Sequence, residues 1–236
     1  SERVGQGNEC RRRSAIEDLQ RFRWMQRCCT SPRKKAMKDL AHTSYRNGHF
    51  TVNGKLLAEP TSSPDTDLNN AWSALGIELP RFPRMDRSSK LVAICGSSFF
   101  IEGGALAGHS KETIGMVIMG KHGSMDTDSK YQAQLDADNH ASPGQFVYTL
   151  PNIAMGEFSI QHGLYGSGLC LLNNAPDLSQ MREACVILLH DHGMDAIVCG
   201  WSDIFADQAT ATFMVVTERT LADWNAAELE KIFNDH

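Results

Sequence analysis

Several features are absent from this 236-residue chain. No stretch approaches the roughly 18–20 uninterrupted apolar residues that a membrane helix needs. The early arginines are not followed by the apolar run of a signal sequence, so the chain is expected to be soluble and cytoplasmic. The seven cysteines (Cys10, Cys28, Cys29, Cys95, Cys170, Cys185 and Cys199) include no Cys-x-x-Cys pair, and most lie in apolar stretches such as Ile94-Cys95 and Val198-Cys199. They read as reduced core residues rather than as a disulfide framework or a zinc site. There is no Gly-x-Gly-x-x-Gly after a strand, and Gly120-Lys121-His122-Gly123-Ser124 has glycines without the order of a phosphate-binding loop. No nucleotide cofactor and no metal are therefore expected. With 22% charged residues and a net charge of −5, the chain is neither a disordered polymer nor a globally basic nucleic-acid binder. Basic and aromatic residues interleave only in Phe22-Arg23-Trp24, too little for a nucleic-acid platform.

What is present is unevenly distributed. Residues 1–49 hold 12 Lys/Arg against 5 Asp/Glu, whereas residues 50–236 hold 11 against 23. In the basic head, Ser14-Ala15-Ile16-Glu17 has the form of a capping box, and Ile16, Leu19, Phe22 and Met25 recur at helical spacing. This predicts an amphipathic basic helix ending before Ser31-Pro32. Residues 47–83 collect Asn-Gly, Glu-Pro and Ser-Ser-Pro-Asp and read as a connector. The expected division is thus 1–83, a basic helical segment with its connector, and 84–236, an α/β domain.

From Arg84 onward helices and short apolar strands alternate. A helix is expected over 88–100, strands over 114–119, 169–172, 196–200 and 211–216, and helices over 153–161, 177–192 and 220–233. Residues 121–145 are polar and read as a loop. Gly193 is the expected cap of the 177–192 helix. The 169–200 unit, strand then crossover helix then strand, is the clearest in the chain.

Three constellations invite chemistry. His190-Asp191-His192 suggests a metal, but residues two apart on a helix point about 200° apart, so a helix-capping role fits better. Gly200-Trp201-Ser202-Asp203-Ile204 begins like a nucleophile elbow, but Ile204 stands where the sharp turn needs glycine. The junction Asn173-Asn174-Ala175-Pro176-Asp177 joins a strand to a helix, where an α/β sheet presents residues to a pocket. It contains no nucleophile.

Longer matches exist. Pro151-Asn152-Ile153-Ala154 through Gly156, Ile160, His162-Gly163-Leu164-Tyr165-Gly166 and Asp195-Ala196-Ile197-Val198-Cys199-Gly200 resemble, in order and spacing, the N-terminal half of β-ketoacyl synthases, which have the thiolase fold. Arg84-Met85-Asp86-Arg87 and the strand Ile114 to Gly120 resemble further segments of that family, so the likeness runs from about Arg84 to Val216. It implies one thiolase-like half, a mostly parallel five-stranded sheet with helices on both faces, plus the N-terminal helical appendage.

Counted from His162-Gly163-Leu164, the family's acyl-accepting cysteine falls on Ala175, whose methyl group cannot form a thioester. The family's two histidines come from a second half, for which too few residues follow. The resemblance therefore implies a chain-length-factor-like subunit, a relative without the cysteine that pairs with a catalytic ketosynthase in type II polyketide and aryl polyene pathways. Leu169, Leu171, Asn173 and Asn174 would then lie at the subunit interface, and Phe146, Tyr148 and Met155 would shape the tunnel end. An acyl carrier protein is a further expected partner, and the basic head, with Arg11, Arg12 and Arg13, is expected to contact either that acidic carrier or an acidic surface of the catalytic subunit. Two other readings stay open: an altered acyl-thioester enzyme, hydrolase or decarboxylase, using Ser202, Cys170 or His162, and a stand-alone module that binds acyl carriers.

Overall fold

Two Asn-Gly pairs organise the beginning of the chain in the computed structural model, which describes residues 40–61, 63–138 and 142–234. Asn47 and Gly48 have φ of 45° and 96°, and Asn53 and Gly54 have 50° and 76°. Two consecutive left-handed residues are what a two-residue hairpin turn requires. The turns join β1 (His42–Arg46), β2 (His49–Val52) and β3 (Lys55–Ala58), closing at the pairs Arg46↔His49 and Val52↔Lys55. α1 (Pro64–Leu75) follows, with Ser63 accepting the Thr66 N–H as its cap. The stretch 47–83, expected as a connector, thus holds two strands and a helix. Its turns are real, but the strands between them are four or five residues long with His and Arg on the open face, so alternation does not announce them. The expected basic helix at 14–31 lies outside the described residues.

α2 (Arg87–Ser97) starts where the Asp86 carboxylate accepts the Ser89 N–H, and every residue from Leu91 to Ser97 is buried. β4 (Ile114–Gly120) is buried along its whole length, as its unbroken apolar run suggests for a strand covered on both faces. The 121–145 loop is in fact largely α3 (Met125–Asp138) and the single turn α4 (Pro143–Phe146). Its acidic residues hide the helix from a hydrophobic count, because buried Asp126 is neutralised by Arg87 at 3.0 Å and Lys130 at 2.8 Å. α5 (Ile153–His162) crosses α2 where Gly96 stands. A Cβ there would lie 2.5 Å from the Phe158 ring, so the glycine permits the close approach.

β5 (Gly168–Leu172), α6 (Leu178–His190) and β6 (Ala196–Phe205) form the expected crossover unit. Asp191, rather than Gly193, is the residue at the C-cap of α6; Gly193 follows with φ of 68°. β7 (Gln208–Val216), α7 (Glu218–Ala222) and α8 (Ala226–Asn234) complete the described chain. The single closing helix expected over 220–233 is two, because Asn225 starts a new one by accepting the Ala227 N–H.

One seven-stranded sheet runs β3-β2-β1-β7-β6-β4-β5. Only β4 with β5 and β4 with β6 are parallel; the other pairs are antiparallel. The sheet is therefore mixed, not mostly parallel and five-stranded. The reason is length. A parallel return needs a crossover of a dozen or more residues, whereas β6 continues to Phe205 and turns at once through Ala206, φ 52°, into β7. α2 and α5 cover one face and α6 the other. Alternation along β6 sends Ala196, Val198 and Ile204 into the α2 core, and Cys199 toward Cys185 of α6. Residues 39–236 form one compact unit.

Candidate functional site

The parallel strands β4, β5 and β6 end on the same side of the sheet, the side on which open α/β sheets receive ligands. The Asn173 N–H donates to Gly120 O at 2.9 Å and the Asp177 N–H to Met119 Sδ at 3.4 Å, so the Asn173–Asp177 junction lies against the end of β4. The Asp177 carboxylate then accepts the Ser179 and Gln180 N–H groups and starts α6. Ala175 and Asn174 are exposed on the bend before this helix, and Asn173 is half-buried. The junction has the strand-to-helix geometry expected of it, with a methyl group at the position counted for the acyl acceptor.

Beside the junction, Ser88, Val92, Gly120, Pro151, Cys170 and Ser202 line a crevice of about 20 Å³. That is room for about one water, which needs roughly 10–15 Å³, whereas small-molecule sites run to about 300–1,000 Å³. An acyl chain does not fit in this crevice. Leu169 and Leu171 are half-buried in β5, which among the described residues pairs only with β4 and leaves its outer edge open. Leu172 is 58% exposed, and on the 143–150 segment Phe146, Val147 and Leu150 are 60%, 48% and 55% exposed. Pro151 and Leu172 both approach Gly123, linking that segment to the strand. Met155 is half-buried beneath the start of β5, its Sδ filling the space above Gly168.

Tyr148 is held differently. Its hydroxyl donates to Glu157 Oε1 at 3.2 Å, and burial together with that carboxylate pushes the phenol up to about 12. Glu157 is itself buried and takes a bidentate pair from Arg81, with both N···O distances 2.8 Å. The Arg81 guanidinium holds the Glu157 carboxyl below its usual range. This network, which the sequence reading missed, ties the 143–150 segment to α5 and to the 81–84 turn.

The three nucleophile or base candidates are differently placed. His162 Nε2 is engaged by Ser97 Oγ at 2.7 Å, the ring stacks on Phe100, and burial with Lys111 nearby pushes it down to about 4. Cys170 faces Pro151 O at 3.5 Å and burial raises its thiol. Ser202 is mid-strand, paired with Ala211, so no elbow exists there; its buried Oγ has no hydrogen-bond partner among the described residues. His190 ends α6, and His192 Nδ1 meets Ser167 Oγ at 3.2 Å. Among the described residues no group of three or more His, Cys, Asp or Glu is placed to hold a metal ion, and no helix is long and apolar enough to cross a membrane.

A second pair escaped notice in the sequence. The His122 ring donates Nδ1–H to Asp203 Oδ2 at 2.8 Å, and Asp203 Oδ1 accepts the backbone N–H groups of Lys121 and His122 at 3.0 and 2.7 Å. The available signal was positional: each residue lies at the C-terminal end of a strand read as parallel.

No family model and no curated protein matches this chain. Solved structures do. The chain is similar to the ishigamide ketosynthase/chain length factor, with a TM-score of 0.54 and 12% identity over 75% of this chain and 60% of that one. It is similar to AntDE:AntF, a type II PKS acyl-carrier protein in complex with its ketosynthase bound to the hexaketide, with a TM-score of 0.51 and 12% identity over 77% and 62%. A ketosynthase (ApeO) in complex with its chain length factor (ApeC) from Xenorhabdus doucetiae gives a TM-score of 0.46 and 16% identity over 60% and 61%. The chain spans about 60% of the length of the structures it matches. Its fold is a mixed α/β fold similar to that of these ketosynthase and chain length factor structures.

Proposed function

We propose that this chain is a noncatalytic, chain-length-factor-like subunit that pairs with a catalytic β-ketoacyl-ACP synthase and bounds the tunnel for the growing acyl chain. The observation that carries this reading is the juxtaposition of Ala175, where the acyl-accepting cysteine would stand, with the open apolar edge of β5. An edge strand offers a row of unpaired N–H and C=O groups and is normally covered. Here the neighbouring side chains, Leu172, Phe146, Val147 and Leu150, are apolar and exposed, the composition of a surface that another protein buries. The crevice is too small for a chain by itself, so a tunnel needs a second wall, which the ketosynthase would supply. Leu169, Leu171, Asn173 and Asn174 are the interface residues on this reading, and Phe146, Tyr148 and Met155 line the tunnel end.

The test is co-expression with a ketosynthase encoded beside it, followed by size-exclusion chromatography and an elongation assay with each subunit omitted. A heterodimer that elongates only when both chains are present is expected. Leu172→Asp, which places a charge on the exposed strand end, should lower the co-eluting fraction at least tenfold without changing the melting temperature of the isolated chain. Equal elongation without this chain would overturn the reading.

A further inference from the structure

We propose that a basic cleft between the 81–84 turn, the first turn of α2 and α3 binds a small molecule through a phosphate monoester. The cleft encloses about 380 Å³ and shares no lining residue with the crevice beside the junction. That volume falls in the range of small-molecule sites, about 300–1,000 Å³. Its cations set it apart from the rest of the molecule. Residues 50–236 hold only 11 Lys/Arg against 23 Asp/Glu, yet four of those 11, Arg84, Arg87, Lys90 and Lys130, line this one cleft.

Two of the four are committed. Arg87 and Lys130 share a single buried carboxylate, Asp126, at 3.0 and 2.8 Å. Asp65, 69% exposed, stands 3.6 Å from Arg87 Nε, and that buried nitrogen has no hydrogen-bond partner among the described residues. Arg84 and Lys90 make no ion pair among the described residues; the Lys90 ammonium lies 5.5 Å from the centroid of the Phe82 ring. The other carboxylate lining the cleft, Asp86, has both oxygens occupied. Its Oδ1 accepts the Ser89 N–H at 2.9 Å as the cap of α2, and its Oδ2 accepts the Thr127 hydroxyl at 2.8 Å.

Two uncommitted cations beside one cleft match a dianion, whereas a monocarboxylate or a phosphodiester would leave one of them unmet. A guanidinium presents parallel N–H donors that suit phosphate oxygens, and an ammonium attracts the same group as a point charge. The organic part of the ligand has a wall as well. Tyr148 lines the cleft, and its position is fixed by the hydroxyl bond to Glu157. On the α4 side a Cβ built on Gly144 would meet only Ser142 Oγ, at 3.8 Å, so that flank is open.

The test is isothermal titration calorimetry of the isolated full chain with phenyl phosphate, inorganic phosphate and benzoate. Low ionic strength keeps screening weak, and about pH 8 keeps the monoester doubly charged. Phenyl phosphate should bind with a Kd below about 1 mM and at least about tenfold more tightly than either other probe. Arg84→Gln and Lys90→Gln should each weaken it about tenfold or more, the loss that follows when a hydrogen bond to a charged group is removed. Lys231→Gln, the same charge change on α8, should leave the affinity as it is. Melting curves of the variants check the fold. No heat with phenyl phosphate, equal affinity for inorganic phosphate, or the same loss in all three variants overturns the inference. The measurement needs no second subunit, so its outcome is separate from that of the pairing with a ketosynthase.

Discussion

His162 lies 4.3 Å from Phe100 and 4.7 Å from Phe158, ring centroid to ring centroid, and its Nε2 meets Ser97 Oγ. Burial, with Lys111 adding a smaller push, lowers it from 6.5 to about 4. Above the ordinary imidazole range both folded and unfolded chains are neutral and the full stability is present. As pH falls from about 6.5 to about 4, the unfolded chain gains a proton that the folded chain refuses, so stability drops across that window and levels below it. At about 1.4 kcal/mol per unit the loss is about 3 kcal/mol. His162→Gln should flatten this limb of a stability-against-pH profile measured by urea unfolding; an unchanged slope would place the acid sensitivity elsewhere. In the sequence His162 stood in a family-like His-Gly-Leu run and could be weighed as a base. What could not be read there is its partner, because Ser97 is 65 residues away. Separations of 76 and 81 residues likewise hid Arg81 from Glu157 and His122 from Asp203.

Among the elements, the crossover unit β5-α6-β6 was legible because each part carries its own signal: an apolar strand, Asp177 as N-cap, and inward residues Met181, Ala184, Cys185, Leu188 and Leu189 at helical spacing. The first three strands were not, since β-pairing is a property of two segments and each segment alone is only four or five residues long. Their attachment to the rest depends on a few specific bonds. The Asn47 N–H donates to Ala209 O, Asn47 Oδ1 accepts the Ala209 N–H, and Asn47 Nδ2 donates to Gln208 Oε1, which locks the first hairpin turn onto the start of β7. Asn47→Ala removes both side-chain bonds and puts a less tolerant residue at positive φ. It should cost about 1–3 kcal/mol, read as a lowered midpoint in denaturant titration. A midpoint within error of wild type would show that the β1-β2 turn is held by backbone bonds alone.

For the whole molecule, the likeness to ketosynthase structures extends over three quarters of the chain at 12% identity, a level at which backbone arrangement persists and side-chain chemistry does not. That is why the short motifs around Pro151 and His162 pointed to the fold, while the mixed sheet and the two ion-pair networks needed coordinates. The basic head keeps its own prediction. If Arg11, Arg12 and Arg13 meet an acidic carrier or an acidic face of the ketosynthase, reversing them to Glu should weaken binding at low ionic strength and lose its effect as salt shortens the screening length to a few ångströms. Surface plasmon resonance at two salt concentrations reads this directly, and equal affinity of wild type and variant at low salt would remove the head from the interface.

The open side of β5 has a further consequence for how such a chain must be made. Its Gly168–Leu172 backbone, unpaired on its outer side among the described residues, can template an extended segment it meets, including the same segment of another molecule. If the proposed pairing holds, chain made in excess of a covering partner would be prone to clumping, so balanced synthesis of the two would follow as a physical requirement.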